Sequence, residues 1–204
     1  MKRNLKTIVC IIFLIFSQLV LAQDFVEGTH YSVIKGSKPS LNSKEVVEYF
    51  SFSCPGCFAM EPHIKLLEKN LPSNQLRRVH LPFGGKNAKL SQQAFVLLKL
   101  LNGEKYHDHI FNRIHVDKNV FNDQGELIGF FENLGYTRSL VESYLSSFAA
   151  DTLVRSMNLE ARNNQIRLAP SIIVNGKYLV DTRAVYSGAN LVDLVSYLSA
   201  LSKR

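Results

Sequence analysis

Two cysteines three residues apart, Cys54-Pro55-Gly56-Cys57, carry the chemistry that is easiest to read in this 204-residue chain. Such a pair serves as half of a zinc site, as a structural disulfide or as a redox centre. A structural zinc needs four ligands, and no second cysteine pair exists to supply them. The histidines offer only His107-x-His109 as a close pair, and both are expected on a solvated helix. A disulfide closing so small a loop restrains little unfolded-state entropy. Redox chemistry remains, and the flanking pattern supports it. Residues 45–52 read as a buried strand, and residues 55–71 take on helical apolar spacing at Phe58, Ile64, Leu67 and Leu71. The first sulfur then lies at a helix N-terminus, where unpaired N–H groups and the helix dipole favour a thiolate. Pro55 suits the first helical turn, since it has no N–H to leave unpaired. Cys54, at the mouth, is expected to be exposed and to form the mixed disulfide with a client thiol. Cys57, one turn in, is expected to be more buried and to resolve that disulfide.

The elements that must position this pair follow a simple order. A short β-like segment at 25–34 precedes the strand and helix just described, and residues 75–81 form a second strand, stopped by Pro82. No convincing strand occurs between residue 87 and residue 165. Helical patterns there cover 90–101, 104–115, 126–134 (opened by Asp123-x-x-Glu126), a segment capped by Thr137, and 151–166. Strand signals return at 171–174, Asn175-Gly176 is a type I′ hairpin signal, residues 177–180 run back, and 191–201 form a terminal helix. The fold class is α/β, a small sheet covered by helices and interrupted by an all-helical insertion.

Composition bounds the remaining possibilities. The formal charge is +7, but Lys2, Arg3 and Lys6 supply three of those charges from a segment that reads as an export signal. Residues 1–22 have a basic start, an apolar run at 8–16 too short to span a bilayer, and Val20-Leu21-Ala22 before the expected cut. Cys10 leaves with that segment. The body then has no basic run longer than Arg77-Arg78, which excludes a nucleic-acid-binding stripe. Export also places the remaining two cysteines where disulfides persist.

The stretch from Glu48 to Cys57, with Glu61 after it, resembles the bacterial periplasmic DsbA family of the thioredoxin superfamily. So do His80–Gly85, Leu168-Ala169-Pro170 and Val174–Tyr178. The resemblance covers nearly all of the chain after Val33. It implies a thioredoxin-like domain in two parts, 23–86 and 166–204, around a helical insertion at 87–165. It implies that Pro170 is a cis-proline beside the cysteines and that Ala169 offers its backbone to an extended client. Glu48 resembles the buried acid beneath such active sites, Arg78 its basic partner, and Glu61 a further member of that charge cluster. No cofactor and no metal are implied. The expected activity is donation of the Cys54–Cys57 disulfide to newly exported protein thiols in the periplasm. The expected partner is a membrane re-oxidase of the DsbB type, and the expected state is a monomer. The competing readings are a reductase or isomerase of the same fold and a redox-inert holdase, which would keep its activity with both thiols alkylated.

Two positions depart from the family pattern. Gly56 stands where the best-known members carry a histidine, so a higher Cys54 pKa and a weaker oxidant are expected than in a histidine-bearing relative. Ala169 replaces a bulkier residue before the proline, so a shallower client groove is expected.

Overall fold

The computed structural model describes residues 25–36, 45–83, 85 and 87–201, so the segment 1–22 expected to be an export signal lies outside the described residues. Five strands form one sheet: β1 (Tyr31–Val33), β2 (Val46–Phe50), β3 (Leu76–His80), β4 (Ser171–Val174) and β5 (Tyr178–Val180), in the order β1-β5-β4-β2-β3. β2 pairs parallel with β3 and antiparallel with β4, and β5 joins β4 to β1 by antiparallel ladders. The sequence Val-Val-Glu-Tyr-Phe explains why β2 is central: β-branched and aromatic residues suit a strand covered on both faces, and all five are buried.

One face of the sheet carries α1 (Pro55–Asn70) and α7 (Gly188–Leu201). Val46, Ile172, Val174 and Val180 meet Met60, Ile64, Leu67 and the apolar stripe Leu191, Leu194, Val195, Leu198 there. The other face, with Val47, Tyr49, Val79 and Ile173, is covered by the inserted helices. These are α2 (Ala88–Leu100), α3 (His107–His115), α4 (Gln124–Asn133), α5 (Arg138–Leu145) and α6 (Phe148–Asn163). The buried positions of α1, Cys57, Met60, Glu61, Ile64 and Leu67, recur at helical spacing, with one carboxylate inside the apolar stripe. α1 continues through Pro62, which has no N–H for the Phe58 carbonyl.

Local signals fix most boundaries. Asp123, Thr137 and Ser147 accept from Glu126, Leu140 and Ala150 amides as N-caps of α4, α5 and α6. Glu126 reaches back one residue further than a capping box requires, to the Asn122 amide at 3.1 Å. Asn175 and Gly176 both have positive φ, 57° and 67°, as a type I′ turn demands. α6 begins at Phe148 and α7 at Gly188, three residues ahead of the apolar spacing in each case, because Ser147 and Ser187 hydroxyls take the free amides. The 104–115 segment splits into a 3₁₀ turn, Glu104–Tyr106, and α3.

The expectation that His107 and His109 both sit on a solvated helix is corrected for His107. Residues two apart on a helix point in nearly opposite directions. His107 joins the buried stripe with Ile110, Phe111 and Ile114, while His109 is exposed.

The insertion is fastened to the sheet by a polar knot. The Tyr49 hydroxyl donates to Glu160 Oε1 at 2.9 Å and accepts from Asn164 Nδ2 at 2.7 Å. Arg77 binds both Glu160 oxygens, at 2.9 and 2.8 Å, and also Glu45. Tyr49→Phe is expected to cost about 1–2 kcal/mol by removing the bonds to Glu160 and from Asn164, of which Glu160 keeps Arg77 as a partner. A lower urea midpoint with an unchanged thiol–disulfide equilibrium constant in glutathione buffer checks this.

Candidate active site

Cys54 is the N-cap residue of α1, with extended backbone (φ −92°, ψ 115°) and Pro55 in the first turn. Its sulfur accepts from the Cys57 amide at 3.3 Å, as a serine or aspartate cap would. The Cys54 carbonyl already takes the Cys57 and Phe58 amides at 3.1 Å each, so the helix is closed directly behind the sulfur. Both cysteines are free thiols. Cys54 is half-buried, where full exposure was expected, because the chain before β4 passes over it. Its thiol donates to the Ala169 carbonyl at 3.4 Å. The Ala169–Pro170 peptide bond is cis.

The two thiols titrate far apart. The hydrogen bond from Cys57 is the main cause that lowers the Cys54 pKa, from 9.0 to about 6. Partial burial opposes it, and the Cys57 and Gly56 backbone amides assist it. Cys57 moves strongly upward, first because it is the donor that the Cys54 sulfur needs, then because it is buried. The Glu48 charge raises it further.

Beneath Cys57 lies a charge cluster with too few cations. Glu48 of β2 stands opposite Arg78 of β3 in parallel register, with Arg78 Nε at 3.1 Å from Glu48 Oε2. This is a charge contact and not an aligned hydrogen bond. The same guanidinium donates to Glu61 of α1 at 3.1 Å and lies 3.5 Å from Glu68, one helical heptad further on. Glu48 is 1% exposed and Glu61 5%, so one arginine serves two buried carboxylates and a third at the rim. Burial is the largest influence on Glu48 and lifts its pKa from 4.5 to about 7. Arg78 pulls it down, and Glu61 and Glu68 add to the rise. His107 Nε2 lies 3.6 Å from Glu61 Oε2, but burial lowers its pKa and keeps the ring neutral.

The structure therefore brings Cys54, Pro55, Gly56, Cys57, Ala169 and Pro170 together at one surface, with Glu48, Arg78 and Glu61 behind them. A Cβ added at Gly56 would meet Pro170 Cδ at 3.3 Å and Cys54 Sγ at 3.8 Å. Any side chain there runs alongside the sulfur. A groove of about 590 Å³ opens beside Leu168–Ser171, bordered by Tyr31, Leu179 and Thr182. Among the described residues no cluster of three His, Cys, Asp or Glu side chains is set to hold a metal.

Sequence reasoning missed the histidines that surround the site. His80 Nε2 accepts the Phe52 amide at 2.9 Å, and burial lowers the His80 pKa to about 3. His115 reaches the Phe52 carbonyl at 2.8 Å. Only the helical stripe 107, 111, 115 in the sequence hints at any of this.

A family model described as thioredoxin matches residues 33–191. The thiol:disulfide interchange protein DsbA of Dickeya dadantii (strain 3937) is 32% identical over 164 residues, 78% of each chain. That of Haemophilus influenzae is 27% identical over 188 residues, 90% of each. The crystal structure of Pseudomonas aeruginosa DsbA superposes with a TM-score of 0.76 at 28% identity, over 89% of this chain and 96% of that one. A Cys-to-Ser variant of Proteus mirabilis DsbA with the non-covalently bound peptide PWATCDS is similar in fold. It gives a TM-score of 0.75 at 24% identity, over 89% of this chain and all of that one.

Two outcomes are expected. Thiolate absorbance of the reduced protein should titrate with a midpoint near 6. The folded value is depressed, so the reduced fold gains stability as pH rises between about 6 and the unfolded value of 9.0, and loses it as pH falls. Cys54→Ser should flatten that window in urea melts. Gly56→His should lower the Cys54 midpoint further. A midpoint at or above that of the unaltered protein would show that the helix end alone saturates the effect.

Proposed function

The chain belongs to the DsbA-type thiol:disulfide oxidoreductases of the thioredoxin superfamily, and from that premise we propose that it oxidises the thiols of newly exported proteins. The observation that carries the direction is the Cys54 sulfur capped by the Cys57 amide at 3.3 Å. The cap stabilises a thiolate, which exists only in the reduced protein, so it favours the enzyme giving its disulfide away.

The exchange is balanced as follows. A client thiolate attacks Cys54 Sγ, the Cys54–Cys57 bond breaks, and the electron pair leaves on Cys57. That sulfur holds its proton strongly, and Glu48, near half-protonated at neutral pH, is assigned the role of supplying one. A second client thiolate attacks the client sulfur of the mixed disulfide. Cys54 leaves as the capped thiolate and the client keeps the disulfide. Two electrons pass from client to enzyme, and a re-oxidase of the DsbB type is the partner that returns them to the next acceptor. The Ala169 backbone and the groove beside Pro170 would receive the client as an extended segment. The site of action proposed is the periplasm, reached through the export signal, with the protein acting as a monomer.

Magnitude decides how strong an oxidant this is. At pH 7, lowering the thiol pKa from 9.0 to about 6 favours the reduced state by at most about tenfold, because only the interval between about 6 and 7 is realised at that pH, and screening of the half-exposed sulfur reduces it further. That is about 30 mV for a two-electron couple. Starting from a thioredoxin-like value of about −270 mV, the thiolate alone would reach only the glutathione range.

Equilibration in glutathione buffers is expected to give a potential between about −240 mV and the value of about −120 mV of the strongly oxidising DsbA. A potential near −270 mV, that of thioredoxin, would mark a reductase. With an unfolded client that carries a disulfide, the Cys54 thiolate of Cys57→Ser should attack it, release one client thiol and accumulate as the unresolved mixed disulfide, and Cys54→Ser should not. Retention of client-protecting activity after both thiols are alkylated would instead identify a holdase.

A further inference from the structure

The turn from β2 into α1 is held by side chains from three separate elements. Ser51 Oγ donates to the Phe83 carbonyl at 2.6 Å and accepts from the Ser53 amide at 3.2 Å. The Cys54 amide donates to the Ser51 carbonyl at 3.0 Å. Between these, the Phe52 backbone is gripped at both polar atoms. Its amide donates to His80 Nε2, and its carbonyl is met by His115 Nε2 at 2.8 Å. A carbonyl can only accept, so the His115 proton is on Nε2. The ring is held in that orientation by a parallel stack on Phe58, 4.9 Å between centroids and 12° between planes. Phe58 is on α1, four residues after Cys54. His115 is the last residue of α3, so it belongs to the insertion and touches both ends of the redox segment.

We propose that His115 is a positioning residue for the dithiol exchange: by donating to the Phe52 carbonyl it fixes the turn that keeps the Cys54 sulfur on the Cys57 amide. At 3.3 Å the contact has an ordinary length for a sulfur acceptor, and it depends on the direction of the Cys57 N–H, so a rotation of the turn weakens it. His80 holds the Ser51–Phe52 peptide by its N–H, whereas the Phe52–Ser53 peptide is held by its Ser53 amide on Ser51 Oγ and, at its carbonyl, by His115. The redox poise of Cys54 is thereby coupled to the seating of the helical insertion. This inference rests on the exchange at Cys54 proposed above.

Three proteins in the same glutathione titration test it: the unaltered chain, His115→Phe and His115→Gln. Phe keeps the stack on Phe58 without a donor; Gln keeps a donor near the Nε2 position without the ring. His115→Phe is expected to reduce the oxidising equilibrium constant by about threefold to tenfold, the worth of one net hydrogen bond. Its thiolate titration midpoint should move upward. His115→Gln should restore both toward the unaltered values whatever its melting temperature. Both variants within twofold of the unaltered protein, with only melting temperature lowered, would overturn the proposal and leave a structural residue. An unaltered chain that does not equilibrate with glutathione at all would overturn the function and not this contact alone. Should His115→Phe fail to fold, proton NMR of the unaltered reduced protein decides the contact. A slowly exchanging Nε2 proton is expected, and a ring protonated only at Nδ1 would overturn the proposal.

Discussion

The Cys57 amide reaches the Cys54 sulfur at 3.3 Å, and much of the surrounding structure serves to keep that contact in place. A helix leaves its first amides without partners, and a capping side chain normally satisfies one with oxygen. Here the cap is sulfur, so the same bond that starts the helix also makes the atom a better thiolate. Structure and reactivity cannot be separated at this position. β2 must end at Phe50, the turn must pass through Ser51–Ser53, and α1 must begin at Pro55 for the sulfur to point back onto its own helix.

The second constraint lies behind the pair. Arg78 faces three carboxylates, two of them buried, and burial first, then the charges of Glu61 and Glu68, leave Glu48 able to hold a proton near neutral pH. Replacing such a cluster by apolar groups would often be neutral for stability, since desolvation consumes most of the attraction. Its retention next to a thiol that holds its proton tightly makes sense as proton supply and as a source of unfavourable charge near a Cys57 thiolate. The cluster also ties β2, β3 and α1 to one guanidinium, which makes the sheet register part of the redox chemistry.

Two small residues shape the surface around the Cys54 sulfur. Gly56 supplies no side-chain donor, so the thiolate is held by the Cys57 thiol and by the Cys57 and Gly56 amides. A Cβ at Gly56 would already press on Pro170 Cδ at 3.3 Å. Ala169 offers a carbonyl to the Cys54 thiol. Under the proposed function, the groove beside Leu168–Ser171 is left to select clients.

Much of this was legible in the sequence because it depends on local signals. The strand Val46–Phe50, the Pro after the first cysteine, the Asp123 and Thr137 N-caps and the Asn175-Gly176 turn are decisions made within a few residues. The pairing of Glu48 with Arg78 and the seat of Pro170 came from resemblance, which stands in for contacts no spacing can reveal. Three things needed the tertiary structure. His107 is buried because α3 turns that face onto Phe50 and Phe52. Cys54 is half-covered because a segment 115 residues away crosses it. His115 meets Phe52 across 63 residues. Each is a contact between distant segments, whose energy depends on how whole helices pack, and nothing in the local sequence encodes that geometry.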